Sequence, residues 1–87
     1  MFSVYVLRNP EGRLYVGSTS DLERRVLQHR RDEGGWTRGR GPWQLVHYEH
    51  FHNRAQAMGR ERELKMGRGR RWLLDYLNGR AGPPPAD

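Results

Sequence analysis

Glu61 interrupts an apolar helical stripe that runs Ala57, Glu61, Leu64 at spacings of four and three. A carboxylate on a face meant for a core is costly unless a cation meets it. Two kinds of partner satisfy that demand: an ion pair with Lys65 four residues on or with a neighbouring Arg, or a bound metal ion. Glu63 falls on the solvated side of the same helix. Tyr5 and Tyr15 form a second constellation, two phenols on one face of a hairpin beside the glycine-ended segment Tyr15-Val16-Gly17. As plain packing residues, their hydroxyls would reach solvent. Arg25 and His29, four apart, share a helix face. An Arg within reach of a phosphate stabilises developing negative charge, and a His near neutrality can shuttle a proton; as surface residues, the two would simply be solvated. His50 and His52 could share a strand face near His47, but no Cys and no helical His pair accompanies them, so a zinc site is not expected. Phosphate-loop and dinucleotide fingerprints are absent, as is a serine motif for a hydrolytic triad.

The elements that must position these residues follow from local patterns. Phe2 to Leu7 is β-branched and aromatic, Asn9-Pro10-Glu11-Gly12 carries turn chemistry, and Arg13 to Gly17 returns as a second strand. Matching Phe2/Val4/Val6 to Leu14/Val16 fixes the parity and puts Tyr5 and Tyr15 together on the opposite face. A three-residue loop with Gly12 in a left-handed bulge gives the same parity. Ser20 and Glu23 have capping-box spacing and predict a helix over about 21–32. Gly34 to Pro42 is a glycine-rich loop, and Gln44 to Phe51 alternates imperfectly as a third strand. Asn53 with Gln56 marks the next helix start, which Gly67 and Gly69 are expected to break. A further amphipathic stripe, Trp72, Leu73, Tyr76 and Leu77, then ends at Gly79. The fold class expected is α/β (α+β): a small three-stranded antiparallel sheet flanked by helices over 1–79, with a disordered Pro-rich tail over 80–87.

Composition bounds the function. Eighty-seven residues, 34% of them hydrophobic, are expected to hold one small domain with no second catalytic module. Mean hydropathy is -1.04. Without Cys the fold must stand on packing alone, and without a long apolar run or signal-peptide core a cytoplasmic protein with no membrane partner is expected. Sixteen Lys+Arg against ten Asp+Glu leave a net charge of +6, which favours a polyanionic partner. Only Lys65 among the basic residues is Lys, and an Arg-rich surface suits phosphodiester backbones, though codon bias can also enrich Arg.

Taken together, Val4-Tyr5-Val6, then Tyr15-Val16-Gly17, then Arg25 and His29, then Ala57, Glu61 and Lys65 resemble the GIY-YIG nuclease superfamily. The Thr37 to Pro42 loop and Leu45-Val46-His47-Tyr48-Glu49 resemble its small stand-alone bacterial members, and the match spans roughly residues 2–78. The first motif departs from the family's glycine-containing form at Val4 and Val6. The resemblance implies a metal-dependent endonuclease acting on DNA. Tyr5 and Tyr15 would be the motif tyrosines, Tyr15 activating water. Arg25 would stabilise the scissile phosphate, and His29 would assist proton transfer or position a phenol. Glu61 would bind a single divalent ion, Mg²⁺ or Mn²⁺. The candidate nucleic-acid contacts are Trp36, Thr37, Arg38 and Arg40 in the loop, and Lys65, Arg68 and Arg71 farther on. So short a chain leaves targeting to loops or to a protein partner. Two other classes compete: a nucleic-acid-binding module that has lost catalysis, and an Arg-rich RNA- or ribosome-associated protein.

The charge balance yields the first testable outcome. Binding to DNA should weaken steeply with salt as condensed counterions are released, with a log-log slope of about -3 to -6 for a handful of phosphate contacts. Titrations by fluorescence anisotropy at several salt concentrations measure it, and a slope near zero would contradict a polyanionic partner.

Overall fold

The computed structural model describes residues 1–33, 35 and 37–84. In chain order they form β1 (Phe2–Arg8), β2 (Leu14–Thr19), α1 (Leu22–Arg30), β3 (Gln44–Phe51), α2 (Arg54–Lys65) and α3 (Gly67–Leu77). The sheet has the order β2-β1-β3 with both pairings antiparallel. Among the described residues, no helix is long and apolar enough to cross a membrane.

The β1–β2 turn forms as its sequence directs. Asn9 Oδ1 accepts from the Glu11 and Arg13 amides, the Gly12 amide donates to the Asn9 carbonyl at 3.0 Å, and Gly12 takes the left-handed conformation at φ +84°. The resulting register pairs Val6 with Val16 and Tyr5 with Gly17, the parity expected from the side chains. β2 runs two residues beyond its expected end, to Thr19.

Because β1 is the central strand, both of its faces are covered, and Val4, Tyr5, Val6 and Leu7 are all buried. One face carries Val4, Val6 and Val16 against Ala57 and Leu64 of α2 and Leu73 of α3. The other carries Tyr5 and Leu7 with Trp43, flanked by Tyr15, Leu22 and Leu45. The imperfect alternation of β3 has a physical cause. His47 and Glu49 face α2 and α3, where Glu49 takes a two-pronged contact from Arg60 at 2.8 and 3.1 Å and the guanidinium lies 4.9 Å over the Trp72 ring. Polar residues thus replace apolar ones on the inner face because a half-buried counter-charge meets them.

Helix starts differ in how closely they follow the sequence. Asn53 caps α2 as expected, accepting from the Gln56 amide at 2.8 Å. At α1 the cap is Asp21, which accepts from the Arg24 amide at 3.1 Å; Ser20 is displaced from the role because the longer β2 moves the helix start by one residue. α2 does break near Gly67, which takes the left-handed conformation at φ +61°, but Gly69 lies beyond the break. The break falls at Met66, in extended backbone, and both glycines open α3. A Cβ at Gly69 would lie 2.0 Å from the Glu63 carbonyl oxygen, so this glycine lets the two helices touch backbone to backbone. After α3, Trp72 Nε1 donates to the Gly82 carbonyl at 3.2 Å, and half-buried Pro84 lines the same cavity as Tyr48 and Tyr76. Residues 85–87 lie outside the described residues.

Two glycines in helices therefore have opposite roles. Gly69→Ala should destabilise by about 1–3 kcal/mol, since the Glu63 backbone must move. Gly59→Ala, whose Cβ meets nothing within 4 Å in α2, should stabilise by about 0.5–1 kcal/mol. Thermal melts of the two variants test the pair.

Candidate active site

The site begins at the pairing of Tyr5 with Gly17. A Cβ on Gly17 would stand 2.7 Å from the Tyr5 hydroxyl oxygen and 2.8 Å from its Cζ, so the ring lies directly on the glycine. Tyr15, two residues before Gly17 on the same face, has its ring centroid 6.1 Å from that of Tyr5. The two phenols are not equivalent: Tyr5 is 1% exposed, whereas Tyr15 is only half-buried.

α1 brings two more groups to the same face. Arg25 Nε donates to the Tyr5 hydroxyl oxygen at 3.2 Å, and Tyr15 adds to the favourable electrostatic surroundings of its guanidinium. His29 Nε2 shares a hydrogen bond with the Tyr5 hydroxyl at 3.0 Å, and its Nδ1 shares one with Thr37 Oγ1 at 2.6 Å. The His29 ring also stands 5.2 Å from that of Tyr15. Thr37 is held in turn by Trp43, whose Nε1 donates to its carbonyl at 2.9 Å. The run Arg25, Tyr5, His29, Thr37 thus joins helix, strand and loop.

Burial sets the protonation of this run. It pushes the Tyr5 phenol up to about 12, and the Arg25 hydrogen bond offsets only part of the effect. At Tyr5 desolvation wins over the neighbouring guanidinium. His29 is pushed below the usual imidazole range, first by burial and then by the charge of Arg25. Both groups are therefore neutral at pH 7.

Thr37 needs correction as a nucleic-acid contact. It is 1% exposed and its hydroxyl is spent on His29, so it orients the imidazole instead. Arg38, Arg40, Arg68 and Arg71 are exposed, and Trp36 lies outside the described residues. Trp43, the anchor of the loop, carried no spacing signal; its only hint was an aromatic residue immediately before a strand.

Glu61 is held on the other layer, at the β2 edge. Its Oε1 accepts from the Ser18 hydroxyl at 2.7 Å and its Oε2 from Lys65 at 2.6 Å. Burial raises its pKa, but the Lys65 and Ser18 hydrogen bonds and the charge of Arg62 together outweigh that and hold it below the usual range. Ser18 directly follows Gly17, so the carboxylate and the phenols are one strand residue apart, on opposite faces. No cluster of three acidic, His or Cys side chains occurs among the described residues. His50 is bonded to Ser3, and His47 to Glu49. An ionised carboxylate with an oxygen already facing a cation fits a hard divalent ion held otherwise by water and substrate oxygens, and not a closed zinc site.

Comparison with known proteins shows the family and the fold. The family model described as the GIY-YIG catalytic domain matches residues 1–72. A UPF0213 protein of Haloquadratum walsbyi is 49% identical over 63 residues, covering 71% of each chain. One from Clostridium perfringens is 43% identical over 63 residues, covering 71% of this chain and 68% of its own. The solution NMR structure of a UPF0213 protein from Bacillus halodurans superposes with a TM-score of 0.54 at 38% identity, covering 91% of this chain and 87% of that one.

The neutral, buried His29 makes stability depend on pH. Its folded pKa lies below the unfolded value near 6.5, so above that pH both states are neutral and the full stability is present. As pH falls below about 6.5 the unfolded chain takes up the proton first, and stability is lost progressively. His29→Asn should flatten the dependence between about pH 6.5 and 5, before Glu49 and Glu61, both depressed, begin to titrate. Urea unfolding at several pH values measures this.

Proposed function

The chain belongs to the GIY-YIG nuclease superfamily, in its UPF0213 group, and we propose that it is a metal-dependent endonuclease hydrolysing phosphodiester bonds in DNA. The observation that carries the reading is that half-buried Arg25, buried Tyr5 and buried His29 form one hydrogen-bonded run beside a half-buried Tyr15, around Gly17.

Each residue's environment suits a distinct role. Arg25, held by the Tyr5 hydroxyl, presents a positive charge that a phosphate gaining charge in the transition state can meet. Tyr5, with a pKa near 12, keeps its proton and serves to aim the guanidinium. His29 is 3% exposed with both ring nitrogens engaged, so it positions Tyr5 instead of touching the attacking water. That leaves Tyr15, whose ring borders solvent, as the group to take the water's proton while the water oxygen bonds to phosphorus and the leaving oxygen departs. Glu61, oriented by Ser18, would hold Mg²⁺ or Mn²⁺, which when bound supplies neutralising charge to the phosphate. Exposed Arg38, Arg40, Arg68 and Arg71 would follow the DNA backbone.

Cleavage of labelled DNA oligonucleotides in Mg²⁺ tests the proposal. Glu61→Gln should abolish metal-dependent cleavage, whereas Glu63→Gln, on an exposed carboxylate, should be nearly silent. Tyr15→Phe keeps the ring and should lower turnover by about 10²- to 10⁴-fold, with the wild-type rate rising through alkaline pH. A rate flat above neutrality with near-normal Tyr15→Phe activity would reassign the base, and binding without any wild-type cleavage would leave a non-catalytic nucleic-acid module.

A further inference from the structure

Glu61 already holds a cation, and the two donors on its carboxylate are held very differently. Ser18 is a strand residue paired with Val4, and its hydroxyl fixes Oε1. Lys65 is the last residue of α2; its side chain is 48% exposed, against 21% for Glu61. An exposed pair four residues apart on a helix is weak and easily opened. A divalent ion binds carboxylate oxygen at about 2.0–2.6 Å, the space on Oε2 that the ammonium fills at 2.6 Å.

The residue type is informative. Apart from the histidines, every other basic side chain in this sequence is Arg. A guanidinium at position 65 would present a planar fork able to engage both carboxylate oxygens, whereas an ammonium is a compact point charge on a flexible stem that occupies one. The sole Lys therefore stands where a cation must be able to leave. Resting on the nuclease reading above, we infer that Lys65 is a built-in counter-ion of Glu61, displaced from Oε2 by the divalent ion and then free to bind a phosphate of the substrate. Metal and DNA binding are thereby coupled through one side chain, and the coupling is reciprocal.

Two binding experiments on the full chain, neither reading activity, test this. In the first, Mn²⁺ is titrated without DNA and the free ion followed by electron paramagnetic resonance. Lys65→Met should tighten Mn²⁺ binding by about 3- to 10-fold, since a competing charge is gone, and Lys65→Arg should weaken it. Glu61→Gln should abolish it. Unchanged affinity in both Lys65 variants, with loss in Glu61→Gln, would overturn the counter-ion role and leave the metal assignment standing. Mn²⁺ binding insensitive to Glu61→Gln would overturn both. In the second, DNA affinity is measured without metal as a function of salt. Glu61→Gln releases Lys65 and should steepen the log-log slope by about 0.9, the increment for one further phosphate contact on duplex. Glu61→Gln/Lys65→Met should restore the wild-type slope. Glu63→Gln makes the same charge change while Glu49 retains Arg60, and should leave the slope unchanged. An unaltered slope in Glu61→Gln would overturn the delivery of Lys65 to phosphate.

Discussion

Helix α1 reaches the body of the protein chiefly through His29. Only Val26 and His29 are buried on that helix, which gives it too little apolar surface to hold its place by burial alone. The imidazole joins the Tyr5 hydroxyl on the central strand to the Thr37 hydroxyl in the loop, and Trp43 secures that loop from beneath. Each of these groups is buried, so each unmade hydrogen bond would leave a costly unpaired polar atom. The bonds that dock the helix are thus the same bonds that aim Arg25, and the candidate site cannot form apart from the tertiary fold.

Charge is arranged in two tiers. The partly buried carboxylates have partners from the chain itself: Glu49 from Arg60 and His47, Glu61 from Lys65 and Ser18. Much of the remaining positive charge, including Arg38, Arg68 and Arg71, is exposed. Internal acids are therefore neutralised locally, and the surplus is available to an external polyanion.

Where the code was local, the sequence alone sufficed. Asn9 and Gly12 specify a turn whose parity decides which strand residues face together, and Asn53 caps α2 through contacts made within four residues. What escaped depended on contacts between elements. Ser20 has a sound capping pattern, but the reach of β2 to Thr19 preempts it. Gly69 looks like a helix breaker until the Glu63 backbone beside it is known. Thr37 reads as a solvent-facing loop residue because nothing nearby in sequence announces the imidazole it serves. For the site, Tyr5, Tyr15, Arg25 and Glu61 could be picked out by type and spacing. The unequal burial of the two phenols could not, since it comes from packing across the sheet.

Gly17 and Ser18 are consecutive residues on an edge strand, one turned toward the phenols and the other toward Glu61. A strand sends successive side chains to opposite faces, so a slip of one residue against β1 would exchange the two: a hydroxymethyl group would be driven under the Tyr5 ring, and the carboxylate would lose its anchor. A slip of two would preserve the faces while sliding both along the strand. The short turn from Asn9 to Arg13 therefore acts as a gauge for chemistry performed elsewhere. Changes in its length can preserve a well-formed hairpin and still dismantle the site by shifting the pairing of Tyr5 with Gly17.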